Sequence, residues 1–335
     1  LRLNTSRYFS HLPNKPFPRR WGTFPTAKQY HHYLTEFVAE HDLNIQFGVR
    51  VQHITPDPAG GYLVETANDS RRYPIVVLCT GRFSNPYTAP LNGLDSFAGL
   101  RLHAHDYRHP SQVAGKRVMV IGNGPSGIDI AVETGLHNPT PTLLAMRTGV
   151  SLKRRYPLGL SKHTWMLIAD YLPARLTTSL QELVEAYSDY PASLLRGIKT
   201  APTGQATTAV AYRGDELIRA VQRGHVVCVD APSQIHPHGV TLPDGTTHEL
   251  DALIIATGYR PALGYLNDIA LTPDAQGWPS RFNSRPYPID YAALTYRGTY
   301  AVGADIDAQF QPTLREIDGY AGLFQVGLYY KGKGA

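Results

Sequence analysis

Lys116-Arg117-Val118-Met119-Val120-Ile121 runs without a break into Gly122-Asn123-Gly124-Pro125-Ser126-Gly127, and that into Ile128-Asp129-Ile130-Ala131-Val132-Glu133. The first run is apolar and β-branched, the second a glycine-rich turn, the third a helix former. A GxGxxG string alone is weak, but between a strand and a helix it has a physical reading. The first glycine permits a tight turn and the second lets backbone approach a pyrophosphate. The third lets the helix pack on the strand, and the helix N-terminus presents positive partial charge. The stretch predicts an α/β fold and assigns Gly122, Gly124, Pro125, Ser126 and Gly127 to a dinucleotide.

The next strand, Thr142–Met146, decides which dinucleotide. A site for NADH places Asp or Glu near this strand's end, against the ribose 2′-hydroxyl. Here the strand ends in Arg147-Thr148, and a cation at that position suits a 2′-phosphate, so NADPH is expected. Lys153-Arg154-Arg155 lies just beyond, either as further phosphate-binding charge or as a solvated loop.

Composition bounds the rest. With 335 residues the chain has room for two domains, and 18% charged against 42% apolar residues excludes disorder as its main theme. Gly (30) and Pro (26) are both abundant, so many turns are expected. No apolar run approaches the roughly 18 residues of a membrane span, and the start does not read as a signal peptide, so a cytoplasmic location is expected. Cys79 and Cys228 are the two cysteines, far apart, which excludes a disulfide scaffold, a CxxC centre and a Cys-rich zinc site. His31-His32 and His236/His238 lack partners at metal-ligand spacing, and no metal is expected. A net charge of +5 allows an anionic ligand without arguing for nucleic acid.

Two apolar runs end alike. Ile75–Cys79 leads into Thr80-Gly81 and Leu253–Ala256 into Thr257-Gly258, each followed by a Pro-containing connector. They suggest paired crossings around an inserted domain. Before the first crossing, Thr26 with Gln29 has capping-box spacing, opening a helix with Tyr30, Tyr33, Leu34, Phe37 and Val38 on one face. Ile45–Ile54, Tyr62–Thr66 and Ile75–Cys79 read as a meander feeding a buried strand, with Asn68-Asp69-Ser70 as a turn. Residues 161–200 are helical in pattern, and Trp165, Met166, Leu167 and Ile168 read as ordinary packing.

Phe97-Ala98-Gly99, His103 and Tyr107-Arg108 complete the pattern FxGxxxHxxxY plus a basic residue, with GxGPSG starting 15 residues after Tyr107. With the two Thr-Gly crossings, the chain resembles the class B flavoprotein monooxygenases. Within them it is most similar to the flavin-containing monooxygenases; the Baeyer–Villiger branch usually has Trp where Tyr107 stands. The resemblance implies two nested Rossmann-like domains with a β-meander and a helical insertion. Residues 1–88 and 258–335 would be the two parts of an FAD domain, around an NADPH domain at 89–257 whose helical insert covers about 156–212. It implies FAD and NADPH as cofactors, O₂ and a small lipophilic molecule as substrates, and oxygen transfer from a C4a-(hydro)peroxyflavin to an amine nitrogen or a sulfur. Baeyer–Villiger and keto-acid oxygenation stay open, as does homo-oligomerisation.

Site residues follow from the same resemblance. Asn4 matches an asparagine near the flavin's reactive edge and is the candidate catalytic residue. Val51 matches a backbone contact to the FAD adenine. Thr80, Gly81, Thr257 and Gly258 mark the crossings, His103 ties a crossing to its domain, and Gln325 lies in the segment beside the flavin. The family's first GxGxxG, which grips the FAD pyrophosphate, is expected upstream of Asn4, and a last helix beyond Gly334. With Leu1 in place of Met, a fragment clipped at both ends is the expectation. An NADPH-binding remnant without flavin activity is the alternative, and a disulfide reductase is disfavoured because no paired cysteines are present.

Overall fold

The computed structural model describes residues 2–3, 6–12, 14–81, 83–169, 171–200, 210–211, 214–260, 262–266, 268–269, 272–273, 279–281, 284–286, 315–317 and 319–325. Asn4 lies outside them. The chain divides into two compact units, one made of Leu1–Asn85 with Arg260–Gly332, the other built on Pro86–Tyr259.

In the first unit, helix α1 (Ala27–Glu40) is opened by a full capping box. Thr26 Oγ1 accepts from Gln29 N at 3.2 Å, and Gln29 Oε1 accepts from Thr26 N at 2.8 Å. Of the apolar face read from sequence, Tyr33 is the buried member and Leu34 is exposed. Phe17 stands edge-on to Tyr33 at 4.4 Å, and the Tyr33 hydroxyl accepts from Leu12 N and donates to Lys15 O. The proline-rich leader is thereby ordered against the helix.

An antiparallel meander follows: β1 (Val51–Pro56), β2 (Tyr62–Thr66) and β3 (Ser70–Tyr73). Two expectations change here. The stretch from Ile45 is strand only from Val51, because Phe47-Gly48 forms a turn with Gly48 at φ +72°. Ser70 opens a third strand, not only a turn; Ser-Arg-Arg-Tyr carries no apolar alternation because all four residues are exposed on the outer strand. Strand β4 (Val76–Leu78) pairs in parallel with Leu323–Gln325, which pairs antiparallel with Arg315–Ile317. The expectation of a buried Ile75–Cys79 is corrected: Leu78 is buried, while Ile75 and Val77 are exposed. Among the described residues β4 is hydrogen-bonded along one side only, to Leu323–Gln325. Ile54, Tyr62, Leu78, Leu266, Ile317 and Leu323 form this unit's main core.

The second unit is a parallel sheet. Its strands are β5 (Leu100–His103), β6 (Val118–Ile121) and β7 (Thr142–Met146), then β8 (Val226–Asp230) and, after a small antiparallel meander, β12 (Ala252–Ile255). The meander is β9 (Gln234–His236), β10 (Gly239–Thr241) and β11 (Thr247–Glu249). The order across the sheet is β8-β7-β6-β12-β5, every pairing parallel. Parallel strands are buried on both faces, which is why β6 and β12 read as continuous apolar runs; both are buried along their whole length. Helix α2 (Pro125–His137) follows β6 directly.

The N-terminal ends of β6 and β12 are tied by Arg117, whose Nε and Nη2 reach both oxygens of Asp251 at 3.0 and 2.9 Å. The opposite, C-terminal edge is where open α/β sheets bind ligands. The insert holds α3 (Lys162–Ala169) and α4 (Ala174–Ala186), and its far end is not helical, since Val210–Ala211 pairs in parallel with Ser151–Leu152. Among the described residues no helix is long and apolar enough to cross a membrane.

Candidate functional site

Each glycine of the turn after β6 has its own steric reason. Gly122 has φ +121°, and a Cβ there would stand 2.4 Å from Ala256 O, so the turn needs glycine on two counts. A Cβ on Gly127 would come 1.9 Å from Gly122 O, which is what lets α2 lie against the strand. Gly124 differs: its φ is −70°, and an added Cβ meets nothing within 4 Å. The space above Gly124 is therefore open, a cradle at the start of a thirteen-residue helix.

Pro125 occupies the first turn of α2 and has no N–H to offer. Ser126 and Gly127 then carry the leading amides, which a helix leaves without intrahelical partners. The exposed Ser126 side chain and the positive end of the helix dipole add polar groups that favour an anion.

Arg147 and Thr148 are exposed at the C-terminal end of β7, next to this turn in the sheet. Among the described residues Arg147 makes no ion pair within the chain. The basic run beyond it is different. Lys153 Nζ is held by Glu185 at 2.8 Å and Asp189 at 2.7 Å, and the Arg154 guanidinium lies 5.4 Å from the Tyr190 ring centre. The reading of Lys153 as free or solvated charge is corrected: its ammonium is taken up by Glu185 on α4 and by Asp189 just beyond that helix. Burial opposes the charge on Glu185, yet hydrogen bonds from Lys153 and Lys162 outweigh it and hold the carboxyl below its ordinary range.

The signature residues His103, Tyr107, Phe97 and Gly99 make contacts within the second unit. The Tyr107 hydroxyl donates to Glu133 Oε2 on α2 at 3.0 Å, and burial with the nearby carboxylate pushes that phenol well above its usual range. Phe97 is buried, and a Cβ on Gly99 would meet Asp251 O at 2.5 Å and the Phe97 ring at 2.6 Å. His103 Nδ1 accepts from His105 N at 3.0 Å, and the ring stands edge-on to Tyr259 at 5.3 Å. Burial lowers its pKa, while the carbonyls of Tyr87 and Gly258 pull the other way. The imidazole thus packs against Tyr259 at the end of the inserted unit. Thr257 Oγ1 donates to Tyr87 O at 2.7 Å and accepts from Ala89 N at 3.0 Å, and Tyr87 N donates to Gly258 O at 3.0 Å.

In the other unit, Thr80 Oγ1 and the Tyr265 hydroxyl are 2.9 Å apart, and Gly81 has φ +66°. Gln325 is the register partner of Leu78, so Thr80-Gly81 and Gln325 lie at the C-terminal ends of adjacent parallel strands. Val51 is elsewhere, at the start of the meander opposite Thr66. Sequence reasoning missed Tyr265, Glu133 and Asn123. The first two are partners chosen by tertiary packing; Asn123 fills a slot that the GxGxxG spacing leaves open.

The flavin-binding monooxygenase-like family model matches residues 1–275, across both units. The chain belongs to that family. Its members use FAD and NADPH. The chain is 28% identical to the probable indole-3-pyruvate monooxygenase YUCCA9 of Arabidopsis thaliana, over 78% of this chain and 64% of that protein. It is 30% identical to the human dimethylaniline monooxygenase (N-oxide-forming) 4, over 76% of this chain and 48% of that one. A flavin monooxygenase of Stenotrophomonas maltophilia, solved as a double mutant, superposes with a TM-score of 0.61 at 24% identity, covering 83% of this chain and 70% of that one. The chain thus spans about two thirds or less of the two curated relatives described, and it shares its fold with the solved flavin monooxygenase.

Proposed function

We propose that this chain supplies the NADPH site and part of the FAD site of a monooxygenase that oxygenates a small lipophilic nucleophile at nitrogen or sulfur. The observation that carries the NADPH assignment is the pairing of an open glycine cradle at Gly124 with an exposed Arg147, which has no ion-pair partner among the described residues, at the end of the next strand. The residues fit a dinucleotide: Gly124, Ser126 and Gly127 would hold its pyrophosphate, and Arg147 with Thr148 its 2′-phosphate. When bound, the flavin accepts reducing equivalents from NADPH, activates O₂ and supplies the oxygen atom.

The chain's own residues bind and orient. Tyr107, through Glu133, fixes α2 and with it the pyrophosphate cradle. The His103 ring against Tyr259 and the Thr257 hydroxyl on the Tyr87 carbonyl hold the two ends of the inserted unit together. Thr80, Gly81, Gln325 and, by backbone, Val51 are assigned to FAD, and Asn4 to the reacting edge, where its amide would donate a hydrogen bond.

A second reading has specific support: YUCCA9 and YUCCA7 of Arabidopsis thaliana and YUCCA1 of Oryza sativa are described as known or probable indole-3-pyruvate monooxygenases, whose substrate class is an aryl 2-oxo acid. The test is oxidation of NADPH against NADH by the flavin-loaded protein, with a dialkylaniline, a thioether and indole-3-pyruvate as substrates. N- or S-oxide formation driven by NADPH supports the first reading, and CO₂ release from the 2-oxo acid supports the second. Equal use of NADPH and NADH removes Arg147 from its role.

A further inference from the structure

Asn123 lies between the two turn glycines, yet its side chain belongs to a different loop. It is buried, and its Nδ2 donates to Thr148 O at 2.8 Å and to Gly149 O at 3.2 Å. A primary amide nitrogen has two hydrogens, and here one serves each carbonyl. We infer that Asn123 is a positioning residue that sets selectivity for the 2′-phosphorylated nucleotide, by fixing the loop that presents Arg147 at a set distance from the pyrophosphate cradle. This rests on the NADPH reading of Arg147 proposed above.

The loop is held by hydrogen bonds before and after Arg147. Before it, Gly122 N donates to Ala145 O at 3.0 Å, so the glycine turn and β7 are locked together. After it, Asn123 takes the Thr148 and Gly149 carbonyls, and Val150 N donates to Lys199 O at 3.0 Å. The backbone of Asn123 is part of the pyrophosphate loop, while its amide holds the 2′-phosphate loop. One dinucleotide spans both, so the spacing between them decides whether both phosphates are met together. A bidentate or forked contact from Arg to phosphate is sensitive to ångström-scale misplacement. Losing the amide leaves the buried Gly149 carbonyl and the part-buried Thr148 carbonyl without their donor and frees the loop to shift. The pyrophosphate contacts, made by backbone of α2, would remain.

The experiment is calorimetric titration of the full chain with NADP⁺ and with NAD⁺, which differ only in the 2′-phosphate. Asn123→Ala is expected to reduce the ratio of the two affinities at least fivefold, mainly through NADP⁺, with the melting transition retained. If Asn123→Ala does not fold, Asn123→Ser takes its place with the same expectation, because its hydroxyl is too short to reach both carbonyls. A ratio within twofold of the parent chain, whether both ligands weaken alike or neither does, overturns the inference. Arg147→Ala is measured alongside. If it collapses the ratio and the Asn123 variants do not, the inference alone fails. If Arg147→Ala leaves the ratio unchanged, the NADPH reading falls and takes the inference with it.

Discussion

Alanine at two glycines of one turn should separate binding from folding. At Gly124 the backbone has φ −70°, which any residue adopts, and an added Cβ meets nothing within 4 Å. The fold therefore accepts Gly124→Ala, and the smaller conformational freedom of the unfolded chain stabilises it by about 0.4–1 kcal/mol. The methyl group would, however, occupy the space that lets a pyrophosphate approach the helix N-terminus. Loss of one charge-assisted hydrogen bond costs about 1.5–3 kcal/mol. At about 1.4 kcal/mol per decade this is roughly a 10- to 140-fold loss of NADP⁺ affinity. At Gly127 the added Cβ would stand 1.9 Å from Gly122 O and 2.9 Å from Gly122 C, both backbone atoms that cannot swing aside. Gly127→Ala should therefore lower stability by about 1–3 kcal/mol or more, as overpacking does. Scanning calorimetry gives Tm, and titration with NADP⁺ gives affinity. The reasoning is refuted if Gly124→Ala binds NADP⁺ within threefold of the parent chain, or if Gly127→Ala melts at the parent's temperature.

Two further outcomes are expected. Asn4→Ala in the flavin-loaded protein should leave NADPH-driven flavin reduction intact while diverting reducing equivalents to H₂O₂; an unchanged coupling ratio, read as product formed per NADPH oxidised, removes Asn4 from the site. The carboxyl of Glu185 is held below its ordinary range by Lys153 and Lys162, so its contribution is present above the unfolded-state pKa and is lost as pH falls through the folded value. Urea midpoints measured from roughly pH 5 to 3 should therefore fall more steeply for the parent chain than for Glu185→Gln, and parallel slopes would contradict the assignment.

The strand–turn–helix unit was legible because three local signals agree there: β6 is apolar throughout, the glycines sit where sterics demand them, and α2 begins at proline. Thr142–Met146 and the Thr26 capping box were legible for the same reason, since each is decided by nearby residues. What could not be read was decided by tertiary partners. Lys153 looks like free charge until Glu185 and Asp189 close on it from the insert. Ser70–Tyr73 is a strand because β2 offers it a hydrogen-bonding edge, not because its own residues alternate. Asn123 gave no signal, because the motif specifies its neighbours and leaves its own side chain free. The place of Arg147 at a strand end was legible because it depends on the position of Thr142–Met146 alone.

The nesting of one unit within another also sets a schedule for the nascent chain. The ends of Pro86–Tyr259 meet through the Tyr87–Gly258 hydrogen bond, so this unit can close as soon as its last strand leaves the ribosome. The outer unit must wait: the Tyr62 hydroxyl bonds to Ala321 O, 259 residues downstream. At about 5–20 residues per second, that interval is roughly 13 to 50 seconds of synthesis. Through that time Leu78 and Tyr62 have no Leu323 to pack against, and the β4 edge is open to any passing strand.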